Sequence, residues 1–162
     1  MSKTWAELCR SISHGVYVIG VRAGENTNAF TAAWVMQVSF DPAMLALSIN
    51  PEHRSYALLE AGQCCTVNIL GRDQIAVAEH FGRSVADKMS GFRWRTAKTG
   101  APVLSESLAY FDCELSHFTD AGDHRIAVLK VVDAALLRPG APLLYSQTGD
   151  IDGSSELYSE TD

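Results

Sequence analysis

A chain of 162 residues, 47% of them apolar and 20% charged, is one ordinary domain that can enclose a single core and a small-molecule site. Its formal net charge of −6 argues against a nucleic-acid-binding surface and against an anionic membrane surface. No apolar run approaches the length of a membrane span, and the opening MSKTWAELCRSISHG lacks an apolar core followed by a small-residue cleavage site. A cytoplasmic protein without a signal peptide is expected.

That opening stretch reads as a short amphipathic helix with Trp5, Leu8 and Ile12 at helical spacing. GVYVIGVR (15–22) is β-rich, and AGENTN after it is a turn. AFTAAWVMQVSF (29–40) is a second strand, interrupted or bulged near Met36 and Gln37 and ended by Asp41-Pro42. MLALSIN is a third. A helix over 54–61 follows, closed by Gly62 in the usual C-terminal position. CCTVNIL is a fourth strand. RDQIAVAEHFGR is a helix with Ile75, Ala78 and Phe81 on one face and Gly82 as its stop.

From Arg83 to Pro102 the pattern dissolves into charge, Gly and scattered aromatics. So long a stretch without a clear element is either a functional lid or a surface excursion tacked down by Phe92 and Trp94. LAYFDCELSHF (108–118) and RIAVLKVVDAALL (125–137), joined by the turn TDAGDH, form a long antiparallel pair. PLLYSQ is a last strand, and the acidic tail 152–162 is expected to be mobile after a domain over 1–151. Many short strands with two or three short helices predict a mainly β fold, a closed antiparallel barrel. With no GxGxxG and no P-loop, a doubly wound dinucleotide-binding sheet is not expected.

Cys9, Cys64, Cys65 and Cys113 show no CxxC and no framework spacing, so buried reduced thiols are expected. The five histidines include no HExxH, and no metal is predicted. The junction NPEHRSYALLEAG raises the sharper question, because it puts His53, Arg54 and Ser55 together at a helix mouth. A helix start leaves N–H groups unpaired at the positive end of its dipole, and a guanidinium and hydroxyl there make a phosphate cradle. The plainer alternative is that Ser55 caps the helix and Arg54 is a solvated charge.

The ordered set NAFTAAWVMQVSFDPAMLALSIN, HRSYALLEAGQCCTVNIL, AEHFG, TGAPVLSESLAYFDCEL, AGDHRI and PLLY resembles the flavin reductase-like, FMN-binding split-barrel family over residues 13–149. The resemblance implies an antiparallel split β-barrel with Greek-key-like order. It also implies FMN as cofactor, with NADH or NADPH as cosubstrate. In the family, the segments matching Thr31, Ala32, Ala33 and Trp34, and Gln37, Val38 and Ser39, lay backbone groups and hydroxyls along the isoalloxazine and ribityl chain. Ser48 and Asn50 match where the ribityl hydroxyls run, His53, Arg54 and Ser55 match the phosphate site, and Phe81 matches a residue at the cofactor's edge. The family's His beside the flavin, where a nicotinamide stacks, matches His124. Two alternatives stay open: His124 caps a hairpin turn beside Asp123, and Phe81 is plain core.

There are departures, since many relatives carry Ser at Ala33, a second proline after Asp41-Pro42, and Gly at Ala29. The activity implied is hydride transfer from NAD(P)H to flavin, with reduced flavin or electrons passed to a monooxygenase or another acceptor protein. An FMN-bound electron carrier and a non-redox FMN-binding module are the competing readings. A homodimer is implied as well.

Overall fold

The computed structural model describes residues 4–158; residues 1–3 and 159–162, and with them the ends of the predicted domain and tail, lie outside it. The elements run α1 (Trp5–Cys9), β1 (Tyr17–Ala23), β2 (Asn26–Ala32), β3 (Val35–Ser39), β4 (Met44–Ile49), α2 (Arg54–Gly62), β5 (Cys64–Ile69), α3 (Ile75–Gly82), β6 (Trp94–Thr96), β7 (Pro102–Leu104), β8 (Ala109–Ala121) and β9 (His124–Leu136). Seven strands form one antiparallel sheet in the order β2-β1-β5-β8-β9-β4-β3, and β6 pairs with β7 apart from it. The mainly β, split-barrel expectation therefore holds, but the closed barrel does not. β2 and β3 are the two edges of the sheet, joined by the chain at Ala33-Trp34 and not by hydrogen bonds.

Why β1 reads as a nearly unbroken apolar run is explained by its place. Successive side chains point to opposite faces, and both faces of this strand are covered. Ile19 and Val21 enter the main core with Phe30, Leu47, Leu59, Val67 and Leu129. Val16 and Val18 enter a second cluster with Ala29, Leu70, Ala78, Phe81, Leu104 and Leu143. β4 alternates instead, with Leu45, Leu47 and Ile49 buried while Ser48 stays half-buried on the other face.

Several sequence boundaries move. The second predicted strand is two, parted at Ala33-Trp34, and the bulge expected near Met36 and Gln37 is present between Gln37 and Ser39. The helix after β4 does not end on a left-handed Gly62; Gln63 takes that conformation, with φ 58°. Gly62 answers a different need, since a Cβ there would sit 1.6 Å from the Arg22 carbonyl oxygen. Ile75, the first residue of α3 after a 3-10 turn over Arg72–Gln74, is exposed, unlike its predicted companions Ala78 and Phe81.

PLLYSQ forms no strand. Pro142 and Leu144 make single bridges to Gly71 and Gly15, and Tyr145–Gln147 is a 3-10 turn. The long stretch before Pro102 contains β6 and lies on α3 through the rings of Phe92 and Trp94 against Phe81. No helix of the described residues is long and apolar enough to cross a membrane.

Candidate functional site

The turn from β4 into α2 is built by short-range polar groups. The Asn50 side chain accepts the Glu52 N–H (2.9 Å), and the Asn50 carbonyl accepts the His53 N–H (3.0 Å). His53, not Ser55, is the N-cap: its Nδ1 accepts the Ser55 N–H at 3.2 Å. The ring also lies 4.8 Å from Phe30, which fixes its plane. Ser55 is fully buried in the first turn, and its Oγ accepts a bond from the Asn28 amide at 3.0 Å. Arg54 projects outward, exposed, at the helix start. Of the three expected cradle residues, Arg54 and His53 thus border open space, while Ser55 holds β2 against the helix.

A further cation joins them that the sequence did not flag. Lys88, inside the long stretch before Pro102, is only 5% exposed. Its ammonium donates to the Phe81 carbonyl at 3.3 Å, and its own carbonyl meets His80 Nε2 at 2.8 Å. Burial, then the Arg54 charge, pushes the Lys88 ammonium below its ordinary range. Burial, then the Lys88 charge, does the same to the His53 imidazole. The Arg54 charge thus reaches Lys88 and the Lys88 charge reaches His53, and among the described residues no carboxylate pairs with any of the three. A site so composed attracts an anion.

Both shifts have one consequence for stability. A base whose pKa is lowered on folding binds protons more readily in the unfolded chain, so stability is fullest above its ordinary pKa and is lost as pH falls through the lowered one. In buffer without phosphate, Tm should rise with pH through the window below about 6.5 for His53 and below about 10.5 for Lys88. Lys88→Met should flatten the alkaline part of that rise; an unchanged curve would count against the burial of this charge.

The second group of candidates lies at the same end of the sheet. Ser48 and Asn50 share one face of β4 and its extension, and the Ser48 N–H donates to the Trp34 carbonyl at 3.0 Å. His124 opens β9, next to Arg125, which pairs with Ile49. The His124 ring is 5.0 Å from the Trp34 indole, and its Nδ1 lies 2.7 Å from the exposed Asp123 carboxylate. Arg125 ties this end of β9 to α2 by donating to the Tyr56 hydroxyl at 2.7 Å. Cradle and ring pair are therefore neighbours across the Asn50–His53 turn.

The remaining candidates divide. Thr31, on β2, donates to the Ala78 carbonyl at 2.7 Å, and Ala32 and Ala33 continue toward Trp34 with half-buried methyl groups. Gln37 and Val38 are exposed on the edge strand β3, with Ser39 half-buried beside them. An apolar cavity of about 270 Å³ opens at this seam, and of the candidates only Gln37 lines it. Phe81 is 1% exposed within a ring cluster of His80, Phe92 and Trp94, so its contribution to the cradle is the carbonyl that accepts from Lys88.

All four cysteines are free thiols. Burial and the nearby Asp112 carboxylate push Cys113 up to about 12, and Cys65 is likewise raised, so both stay protonated and inert.

Comparison with known proteins adds an independent line. The family model described as "flavin reductase like domain" matches residues 9–152. The high molecular weight rubredoxin of Moorella thermoacetica is 31% identical over 141 residues, covering 84% of this chain and 62% of that protein. Diflavin flavoprotein A 1 of Synechocystis is 32% identical over 132 residues, 78% of this chain and 23% of that protein. The chain thus spans less than two thirds of either relative. Among solved structures, a nitrilotriacetate monooxygenase component B homologue from Mycobacterium thermoresistibile superposes with a TM-score of 0.84 at 29% identity, over 89% of this chain and 82% of that one.

Proposed function

The chain belongs to the flavin reductase-like domain family, and from that premise we propose that it binds FMN and transfers hydride from NAD(P)H to the flavin. The observation that carries the cofactor is the cradle of Arg54, His53 and buried Lys88, whose basic groups lack a carboxylate partner among the described residues. A phosphate fits that chemistry, and the short side chains of Ala32 and Ala33, half-buried, are the kind that lets a flat ring approach the backbone. A bound flavin would supply the redox chemistry of hydride and electron transfer. The chain's own task is orientation: Arg54 and Lys88 hold the phosphate, the β4 end with Ser48 and Asn50 borders the sugar chain, and His124 beside Trp34 offers an imidazole to the nicotinamide. Anaerobic mixing of the FMN-loaded protein with NADH, then NADPH, tests this. Bleaching of the flavin's visible band with either is the expected result, and an unchanged band with both would sink the reductase reading.

The monooxygenase component among the structural neighbours supports an oxygenase as the acceptor of reduced flavin. A second reading, an FMN-bound electron carrier, is supported by the match to parts of longer proteins named for rubredoxin and for two flavins.

A homodimer is part of the same proposal. Met36 and Val38 on the edge strand β3, and Phe40 in the turn just after it, are 64%, 47% and 91% exposed, and Trp5 and Leu8 on α1 are exposed as well. Apolar side chains along an unpaired sheet edge are normally covered by another chain. Sedimentation should give a dimer at micromolar concentration; a monomer with FMN bound would count against it.

A further inference from the structure

His124 stands at the free end of a hairpin. Arg125 is the first β9 residue with a β4 partner, Ile49, whereas His124 pairs only with Ala121 of β8. Beyond Arg125 the ribbon is therefore two strands wide, and residues 119–123 at its tip are exposed. A two-stranded ribbon is marginal in water and twists readily unless something holds it. The hold is on the opposite face from His124. Successive side chains alternate, so His124 shares a face with Ile126 and, across the ladder, Ser48, while Arg125 points with Ile49 toward α2. Arg125 Nη1 donates to the Tyr56 hydroxyl at 2.7 Å, and its Nε donates to Asp120 at 2.9 Å across the hairpin. The guanidinium lies 4.9 Å from the centre of the Phe118 ring, which is itself 5.0 Å from the Tyr56 ring. Tyr56 is 8% exposed, and its hydroxyl donates onward to Glu60 at 3.4 Å. A planar guanidinium with two aimed donors and an aromatic face against it fixes a direction as well as a distance.

Resting on the reductase reading, we propose that Arg125 is a positioning residue for the reaction. By clamping the hairpin end to α2, it sets where His124 stands relative to a flavin held at the mouth of that same helix. Tyr56 is two residues on from Arg54, so the clamp starts in the first turn of α2 and ends on the residue adjoining His124. Arg125 acts through the placement of His124 and not by contact with flavin or nucleotide. Hydride transfer is steeply sensitive to such placement, since a shift of about 1 Å in a positioning group can cost up to about a hundredfold in rate.

Stopped-flow reduction of the FMN-loaded full chain at saturating NADH or NADPH, together with NMR of the histidine rings in the flavin-free chain, tests the assignment. Arg125→Met should lower the limiting rate about tenfold. Tyr56→Phe, which removes only the hydroxyl, should lower it in the same direction by a smaller factor. FMN affinity should stay nearly unchanged in both. In a His124→Ala background, Arg125→Met should cost nothing further, because the group it positions is gone; a merely structural arginine would cost the same in either background. Without flavin, the His124 ring signals should move in Arg125→Met, while those of His14, beside Tyr145, and His80, on α3, stay in place. An equal loss from Arg125→Met with and without His124, or His124 signals that do not move, would overturn the role of Arg125 and leave the reductase reading standing. A wild type that reduces FMN with neither nucleotide would overturn the reductase reading, and this assignment with it.

Discussion

Arg54→Ala should weaken FMN roughly ten- to a hundredfold and leave riboflavin almost unchanged, because a charge-assisted bond to phosphate contributes about 1.5–3 kcal/mol. Arg54 is exposed in the first turn of α2, where the helix dipole and the guanidinium act on the same anion. Exposure favours the lower part of that range, and rising salt should narrow the gap between wild type and variant. The fold should be unaffected, since among the described residues no hydrogen bond or ion pair from the Arg54 side chain holds another element. Calorimetric titration with both ligands separates the outcomes. Equal losses for FMN and riboflavin would put the phosphate elsewhere.

His124→Ala should lower flavin reduction by NAD(P)H by about one to two orders of magnitude, the range expected when a positioning group is lost. The imidazole is half-buried, set at 5.0 Å from the Trp34 indole and held by Asp123 at 2.7 Å, so its orientation is defined before any nucleotide arrives. It lies across the Asn50–His53 turn from the proposed phosphate cradle, and FMN affinity and Tm should hardly move. Stopped-flow reduction at saturating FMN, alongside FMN titration and a melting curve, makes the distinction. Collapse of FMN binding would make His124 a flavin or structural residue. Reduction at the wild-type rate would return it to a plain turn cap beside Asp123.

What the sequence by itself determined is whatever depends on neighbours a few residues apart. Strand alternation in MLALSI sends Leu45, Leu47 and Ile49 inward and leaves Ser48 on the site face. The NPEHRS junction makes its own turn and cap through Asn50 and His53, so a polar helix mouth was legible there. Tertiary structure decided what depends on distant segments. Gly62 looked like a helix stop, yet it is small because the Arg22 backbone crosses beside it, and Gln63 absorbs the left-handed turn. PLLYSQ has a strand's composition, but it meets Gly15 and Gly71 through single bridges and never gains a ladder. Lys88 sits in a run of charge and glycine that reads as solvated surface. It is buried because Phe92 and Trp94, a few residues on, pack against Phe81 and fold the segment down onto α3. Local hydrogen bonds and side-chain period are written into adjacent residues, whereas the burial of a charge is set by whichever remote surface closes over it.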